Sequence, residues 1–220
     1  MRRDNPFEPL STASLAAIYE WPGEAVRFLE GACDCLHIVG ECGMGKTALL
    51  RQIEARFASA LYACVPLGGE WRLQLPAGVS VALLDETDRL TGRALGQAVR
   101  TVREARARCV LAAHRSQLRG IRRAGLSAEL IELRPITEAA RVRRLWEARV
   151  ALAYGDEGAR LTDEAAQALL SASRGNVERC LQIGYEVFED LEALRPITAD
   201  DIAAAAASLD RALAVGGVSR

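Results

Sequence analysis

Eight residues, Gly40-Glu41-Cys42-Gly43-Met44-Gly45-Lys46-Thr47, constrain this chain more than any other stretch. Their spacing fits G-x-x-x-x-G-K-[ST], in which main-chain N–H groups cradle phosphates, the lysine reaches the β and γ phosphates and the hydroxyl ligates Mg2+. The surroundings are those the motif requires. "CLHIVG" (35–40) reads as a short buried strand, and "TALLRQIEARF" (47–57) puts Leu49, Leu50, Ile53 and Phe57 on one helical face. The loop, Gly40 through Ala48, thus joins a strand end to a helix N-terminus, where unpaired N–H groups and the helix dipole favour an anion. Of the 28 basic residues 27 are arginine, and the one lysine is Lys46. A compact ammonium among phosphates does what a planar guanidinium does poorly.

Hydrolysis needs a second, acidic site that holds Mg2+ and aims a water. "VSVALLDETDRL" (79–90) is an apolar β run that ends in Asp85-Glu86. Asp85 is placed for the Mg2+ shell and Glu86 to polarise the water as general base. A further strand, "CVLAAHR" (109–115), follows an Arg-rich helix (91–108). Residues past the C-terminal ends of parallel strands line the ligand crevice, which puts His114, with Arg115 and Ser116 beside it, near the γ-phosphate. A loop histidine without a task is the competing account. His37, inside the first strand, reads as structural. "ALYACVPLG" (60–68) reads as a second strand, and the connection from there to Val79 is short for a full crossover helix.

The length of 220 residues allows one sizeable core, or a core and a small satellite domain. Half the residues are apolar and a quarter charged, as in a soluble globular protein. No apolar run approaches the ~20 residues of a membrane span, and "MRRDNPFEPL" lacks the apolar centre of a signal peptide. A cytoplasmic protein without membrane insertion is expected. The six scattered cysteines suit reduced, mostly buried thiols, and "CDC" (33–35) lacks the second ligand pair of a zinc site. Cys42 reads as a small loop filler, the alternative being a thiol of lowered pKa at the helix N-terminus. The formal net charge of −1 conceals a block, Arg89 to Arg123, with ten arginines and the single acid Glu104. Such a block can bind polyanions, supply charge across a subunit interface or be a solvated helix face.

From Thr137 the pattern is helical. Thr137 is placed as an N-cap, with Ala140, Val142, Leu145, Trp146 and Val150 available for burial. Further helices open at Thr162, Asn176 and Thr198, and Gly175 closes one of them. The expected fold class is α/β: a P-loop parallel-sheet core over 1–136, including an N-terminal leader, then a small all-helical lid over 137–220.

At this point the chain resembles the AAA+ ATPases over nearly its whole length. It is most similar to the replication-initiator and origin-recognition branch and to the transposition-helper and general-secretion ATPases, whose P-loops read much like "GECGMGKTALLR". "RGNVERCLQIG" followed by "ITADDIAAA" resembles the end of the family's lid, and "NPFEPL" resembles the leader of several secretion and transposition members. The resemblance implies ATP and Mg2+ as ligands, with Lys46 and Thr47 for phosphate and metal, Asp85 and Glu86 for metal and water, and His114 as sensor 1. It also implies a site between subunits of a homo-oligomer, completed by a neighbour's arginine finger, for which Arg122 or Arg123 stands at the expected place. The sensor 2 arginine position falls on Glu178, with Arg179 one residue on, a rotation of about 100° around a helix.

The leading expectation is an AAA+ ATPase that uses hydrolysis as a switch on a protein or DNA partner, nucleic acid being contacted through the basic block. A nucleotide-gated binding module with little hydrolysis is the second. A small-molecule kinase is the third, opposed by Glu86 directly after Asp85. No winged-helix or helix-turn-helix segment follows the last helix, so a helper recruited by another protein is expected over an initiator that reads sequence.

Overall fold

Apolar runs of five or six residues are too short to bury a helix face and become strands. The computed structural model describes residues 5–18, 20–155 and 158–216, which divide into two units, residues 20–134 and residues 5–18 with 135–216. The first unit holds β1 (Cys35–Val39), β2 (Ala60–Cys64), β3 (Val81–Asp85), β4 (Arg108–Ala113) and β5 (Glu129–Glu132). They form one parallel sheet in the order β2-β3-β4-β1-β5. β3 is buried at every position, as a central parallel strand covered on both faces should be.

Alternation along the strands sorts side chains into two layers. On one face Leu36, Ile38, Leu83 and Val110 meet Phe28 of α2 (Gly23–Leu29) and Leu49, Leu50 and Ile53 of α3 (Lys46–Glu54). On the other, Leu84, Cys109 and Leu111 meet Leu95, Val99 and Val102 of α4 (Gly92–Glu104) and Ile121 of α5 (Leu118–Arg123). The segment from β2 to β3 carries no helix. Trp71, Leu73 and Leu75 alternate along it as an extended strap against the second layer. β5 is an edge strand that periodicity alone does not reveal, since two of its four residues are glutamates; Glu129 pairs with Arg27 of α2 at 2.8 Å.

The second unit comprises α1 (Thr12–Ile18), α6 (Ala139–Tyr154), α7 (Asp163–Ser173), α8 (Val177–Glu189) and α9 (Ala199–Gly216), around Trp146, Leu169, Ile183, Ile197 and Ile202. Thr162 caps α7 by accepting from Ala165 N at 3.1 Å, and Asn176 caps α8 by accepting from Arg179 N at 3.0 Å. At α9, Thr198 N donates to Asp201 Oδ2 at 2.8 Å and Asp201 N to Thr198 Oγ1 at 3.4 Å, a reciprocal box. Thr137 does not cap α6. Its cap position falls on Glu138, without a side-chain bond, because Ile136 N is drawn to Gly175 O at 2.8 Å and the chain stays extended past 137.

The leader also departs from expectation, lying with the helical unit rather than with the α/β core. The reason is Phe7, whose ring needs an apolar pocket and finds one 4.6 Å from Trp146 and 5.6 Å from Phe188, centroid to centroid. Asn5 Nδ2 donates to Tyr185 O at 3.0 Å, and buried Arg149 donates to Pro6 O at 3.1 Å and Glu8 O at 3.2 Å. A Cβ at residue 184 would stand 2.6 Å from the Phe7 ring, so glycine is what lets the leader lie on α8. No helix among the described residues is long and apolar enough to cross a membrane.

Candidate active site

β3, β4 and β1 are neighbours, so the residues that follow them share one edge of the sheet. After β1 the chain turns through Gly43 at φ 78° and Gly45 at φ 90°, backbone that residues with a Cβ avoid. Gly45 precedes α3 without any side-chain cap bond, which leaves the first amides of α3 to an anion. A Cβ at residue 40 would meet Leu133 O at 2.8 Å, so the base of the loop closes on the exit from β5.

Lys46 is 6% exposed. Its Nζ donates to Gly40 O at 2.7 Å and Glu41 O at 2.9 Å, which holds the ammonium within the loop. Met44 is buried, Ala48 half-buried, and Glu41 and Cys42 are exposed at the tip. Thr47 Oγ1 donates to Asp85 Oδ2 at 2.7 Å, tying the start of α3 to the end of β3. Asp85, 2% exposed, also accepts from Tyr62 Oη at 3.0 Å and, on Oδ1, from Glu86 N at 2.9 Å.

Glu86 takes left-handed backbone, φ 57° and ψ 37°. Its Oε2 lies 3.1 Å from Arg89 and 3.7 Å from His114 Nε2. The 3₁₀ turn after it, Thr87–Arg89, is anchored from behind: Gln117 Nε2 donates to Thr87 O at 3.0 Å, and the Thr87 hydroxyl lies 2.9 Å from Ala112 O. Gln117 N donates to His37 Nε2 at 2.9 Å, and His37 Nδ1 donates to Leu111 O at 3.0 Å. This pairing fixes one tautomer, and burial pushes the imidazole pKa below its ordinary value. His114 N donates to Asp88 Oδ1 at 3.1 Å, and ligand atoms of Glu86, Asp88 and His114 all lie within 4.8 Å of one another.

The structure therefore gathers the 40–47 loop with Asp85 and Glu86, and Glu86 with His114. Arg122 and Arg123 stand exposed in the last turn of α5. Arg179 is engaged within the helical unit, where its guanidinium donates to Ala172 O at 3.2 Å and pairs with Asp210. Within the basic block, Arg108 stacks 3.9 Å from the Phe28 centroid and donates to Cys33 O, and Arg89 donates to Val65 O besides pairing with Glu86. The other eight are exposed, on α4, α5 and adjoining turns.

Sequence reasoning missed Tyr62, Gln117 and the part of Arg89. The i, i+3 spacing of Glu86 and Arg89 is a signal for that pair; nothing in the sequence marks Tyr62 or Gln117, whose partners are distant in the chain. The residues present suit a Mg-nucleotide: an open glycine loop, a buried ammonium, and a hydroxyl and carboxylate in contact.

No family model matches the chain, and no curated protein matches its sequence. Solved structures do. Domain III of the Thermotoga maritima replication initiation protein DnaA matches with a TM-score of 0.65 at 15% identity, over 90% of this chain and 97% of that one. The Thermotoga maritima RuvB Holliday junction branch migration motor matches with a TM-score of 0.58 at 17% identity, over 91% of this chain and 72% of that one. An arginine-to-alanine form of the same RuvB gives 0.57 at 21% identity, over 84% and 68%. With its five-stranded parallel core and helical C-terminal region, the chain has the AAA+ fold.

Proposed function

We propose that this protein is an AAA+-type ATPase that binds Mg-ATP in the 40–47 loop, hydrolyses it between subunits of a homo-oligomer, and uses turnover as an assembly or conformational switch on a DNA or protein partner. The observation that carries the reading is the Thr47–Asp85 bond of 2.7 Å, which joins the phosphate loop to the strand end that presents Glu86. Thr47 and Asp85 would hold Mg2+, which when bound supplies charge neutralisation on the phosphate oxygens. Lys46 binds phosphate oxygens, exchanging its two loop carbonyls for them. Glu86 accepts the proton of the attacking water, and His114 orients the Glu86 carboxylate and senses the γ-phosphate. Arg122 or Arg123 of a neighbouring subunit stabilises the charge that develops in transfer. The eight exposed arginines around α4 and α5 suit sequence-independent contact with a nucleic-acid backbone.

Two observations favour the alternative of a nucleotide-gated module with little hydrolysis. Glu86 is engaged by Arg89 through Oε2, and Arg179 is occupied by Asp210.

ATP turnover across a protein concentration series, for wild type and Glu86→Gln, with sedimentation of both in ATP and with DNA, separates the two. Specific activity that climbs with concentration, vanishes in Glu86→Gln and accompanies ATP-dependent assembly supports the composite-site ATPase. Tight ATP binding without turnover at any concentration, with or without DNA, supports the gated module instead.

A further inference from the structure

Asp85 is held from three sides, and one holder, Tyr62, belongs to neither the glycine loop nor the acidic strand end. An ionised carboxylate offers about four acceptor directions. Thr47 and Tyr62 occupy those of Oδ2, at 2.7 and 3.0 Å, and Glu86 N occupies one on Oδ1 at 2.9 Å. About one direction, on Oδ1, is left open.

Tyr62 is itself fixed independently of that bond. It lies on β2 in register with Leu83, two residues short of the Cys64–Asp85 pair, so its phenol reaches along the sheet to the carboxylate. The Arg51 guanidinium stacks 3.4 Å from its ring centroid, and Arg51 is in turn paired with Glu54 at 2.7 Å. A phenol hydroxyl is protonated at neutral pH and so donates to the carboxylate.

We infer that Tyr62 is a positioning residue for metal-bound nucleotide: its hydroxyl fixes the Asp85 carboxylate so that the open Oδ1 direction faces the Mg2+ shell. The inference rests on the reading of Thr47 and Asp85 as the Mg2+ holders. The terminal torsion of an aspartate is intrinsically broad. Without the phenol hydroxyl, Oδ2 has a vacant acceptor direction and the carboxylate samples orientations that no longer match an octahedral ion, which tolerates little distortion.

The test follows the binding of a fluorescent ATP analogue to wild type, Tyr62→Phe and Tyr62→Leu, first in EDTA and then along a Mg2+ series at fixed nucleotide. Phenylalanine keeps the ring, the Arg51 stack and the strand; leucine keeps only the burial. The expected result is unchanged affinity in EDTA and a Mg2+ half-point raised about three- to tenfold in both variants, the scale of one ordinary hydrogen bond. Equal half-points in wild type and Tyr62→Phe overturn the inference, and so does a shift confined to Tyr62→Leu, which would assign the effect to the ring. A wild type whose nucleotide affinity ignores Mg2+ overturns the assignment of Thr47 and Asp85 and the inference with it. Should Tyr62→Phe not fold, a Tyr62→Leu half-point equal to that of wild type overturns it by itself.

Discussion

Lys46 in the α/β unit and Arg149 in the helical unit are both 6% exposed, and main-chain carbonyls satisfy both cations. Lys46 donates to Gly40 O and Glu41 O, Arg149 to Pro6 O and Glu8 O. The local chemistry is nearly the same, and the backbone that supplies the carbonyls makes the difference. Around Lys46 it is a glycine loop whose amides precede a helix and whose neutral carbonyls can yield the ammonium to an anion. Around Arg149 it is a leader held by Pro6 and by the buried Phe7, with nothing to exchange for. Under the proposed function, Lys46 is the binding group and Arg149 the structural clasp, according to whether the acceptors of each are replaceable.

Separating the two cations by mutation should give the largest effects. Arg149→Met leaves the buried Pro6 carbonyl, and the more exposed Glu8 carbonyl, without their charged donor and should lower unfolding stability by about 1–3 kcal/mol, freeing the leader to proteases while isothermal titration still detects Mg-ATP. Lys46→Met should do the reverse, with nucleotide affinity falling about 100-fold or more and the thermal midpoint held or raised. A Lys46→Met protein that unfolds, or an Arg149→Met protein that stays folded yet cannot bind ATP, breaks the comparison.

Gly184→Ala sharpens it by attacking the clasp without touching the cation. The new Cβ falls 2.6 Å from the Phe7 ring, and overpacking of this kind costs about 1–3 kcal/mol. Chemical denaturation and limited proteolysis should show the leader released first.

Smaller effects follow pH. His37 titrates below its unfolded value of about 6.5 because it is buried, so its contribution to stability is full above that pH and declines as pH falls through the folded value. Urea unfolding at pH 7.5 and 5.5 should show a steeper acid loss for wild type than for His37→Gln. The smallest effect belongs to Arg195→Ala. The Arg195 guanidinium holds the Asp201 carboxyl well below the usual carboxylate range, which adds stability above an unfolded pKa of about 3.9 that is lost as pH falls through the folded value. With Arg195 half exposed, solvent screening keeps the contribution of the pair small near neutrality, and the gap between wild type and variant should close on acidification.

The legible parts of the molecule are those whose physics is local. Gly43, Gly45 and Lys46 act within one loop, so their spacing betrays them, and β1, β3 and β4 are buried on both faces and read as apolar runs interrupted internally by His37 alone. Thr162 and Asn176 cap helices three residues away and are equally visible. β5 escaped because an edge strand can carry Glu129 and Glu132, and α5 because "LRGIRR" is under two turns long and packs through Gly120 against Leu95. Among 27 arginines nothing in the sequence singles out Arg149, whose partners lie more than 140 residues away. The same holds for Tyr62 and Asp85, joined only by the β2–β3 register. The leader was read with the core because it is adjacent in sequence, whereas its ring packs with Trp146.

The left-handed backbone of Glu86 sets stability against use. An L-residue there costs about 1–2 kcal/mol, and asparagine or glycine would bear the same conformation at less cost. A library sorted for thermal resistance alone should therefore enrich Glu86→Asn and Glu86→Gly, the substitutions that remove the carboxylate the site presents. Sequence-averaging or stability-guided redesign of this fold should hold position 86 fixed, since the gain it offers in heat tolerance is the size of the strain the chain retains to keep an acid at that turn.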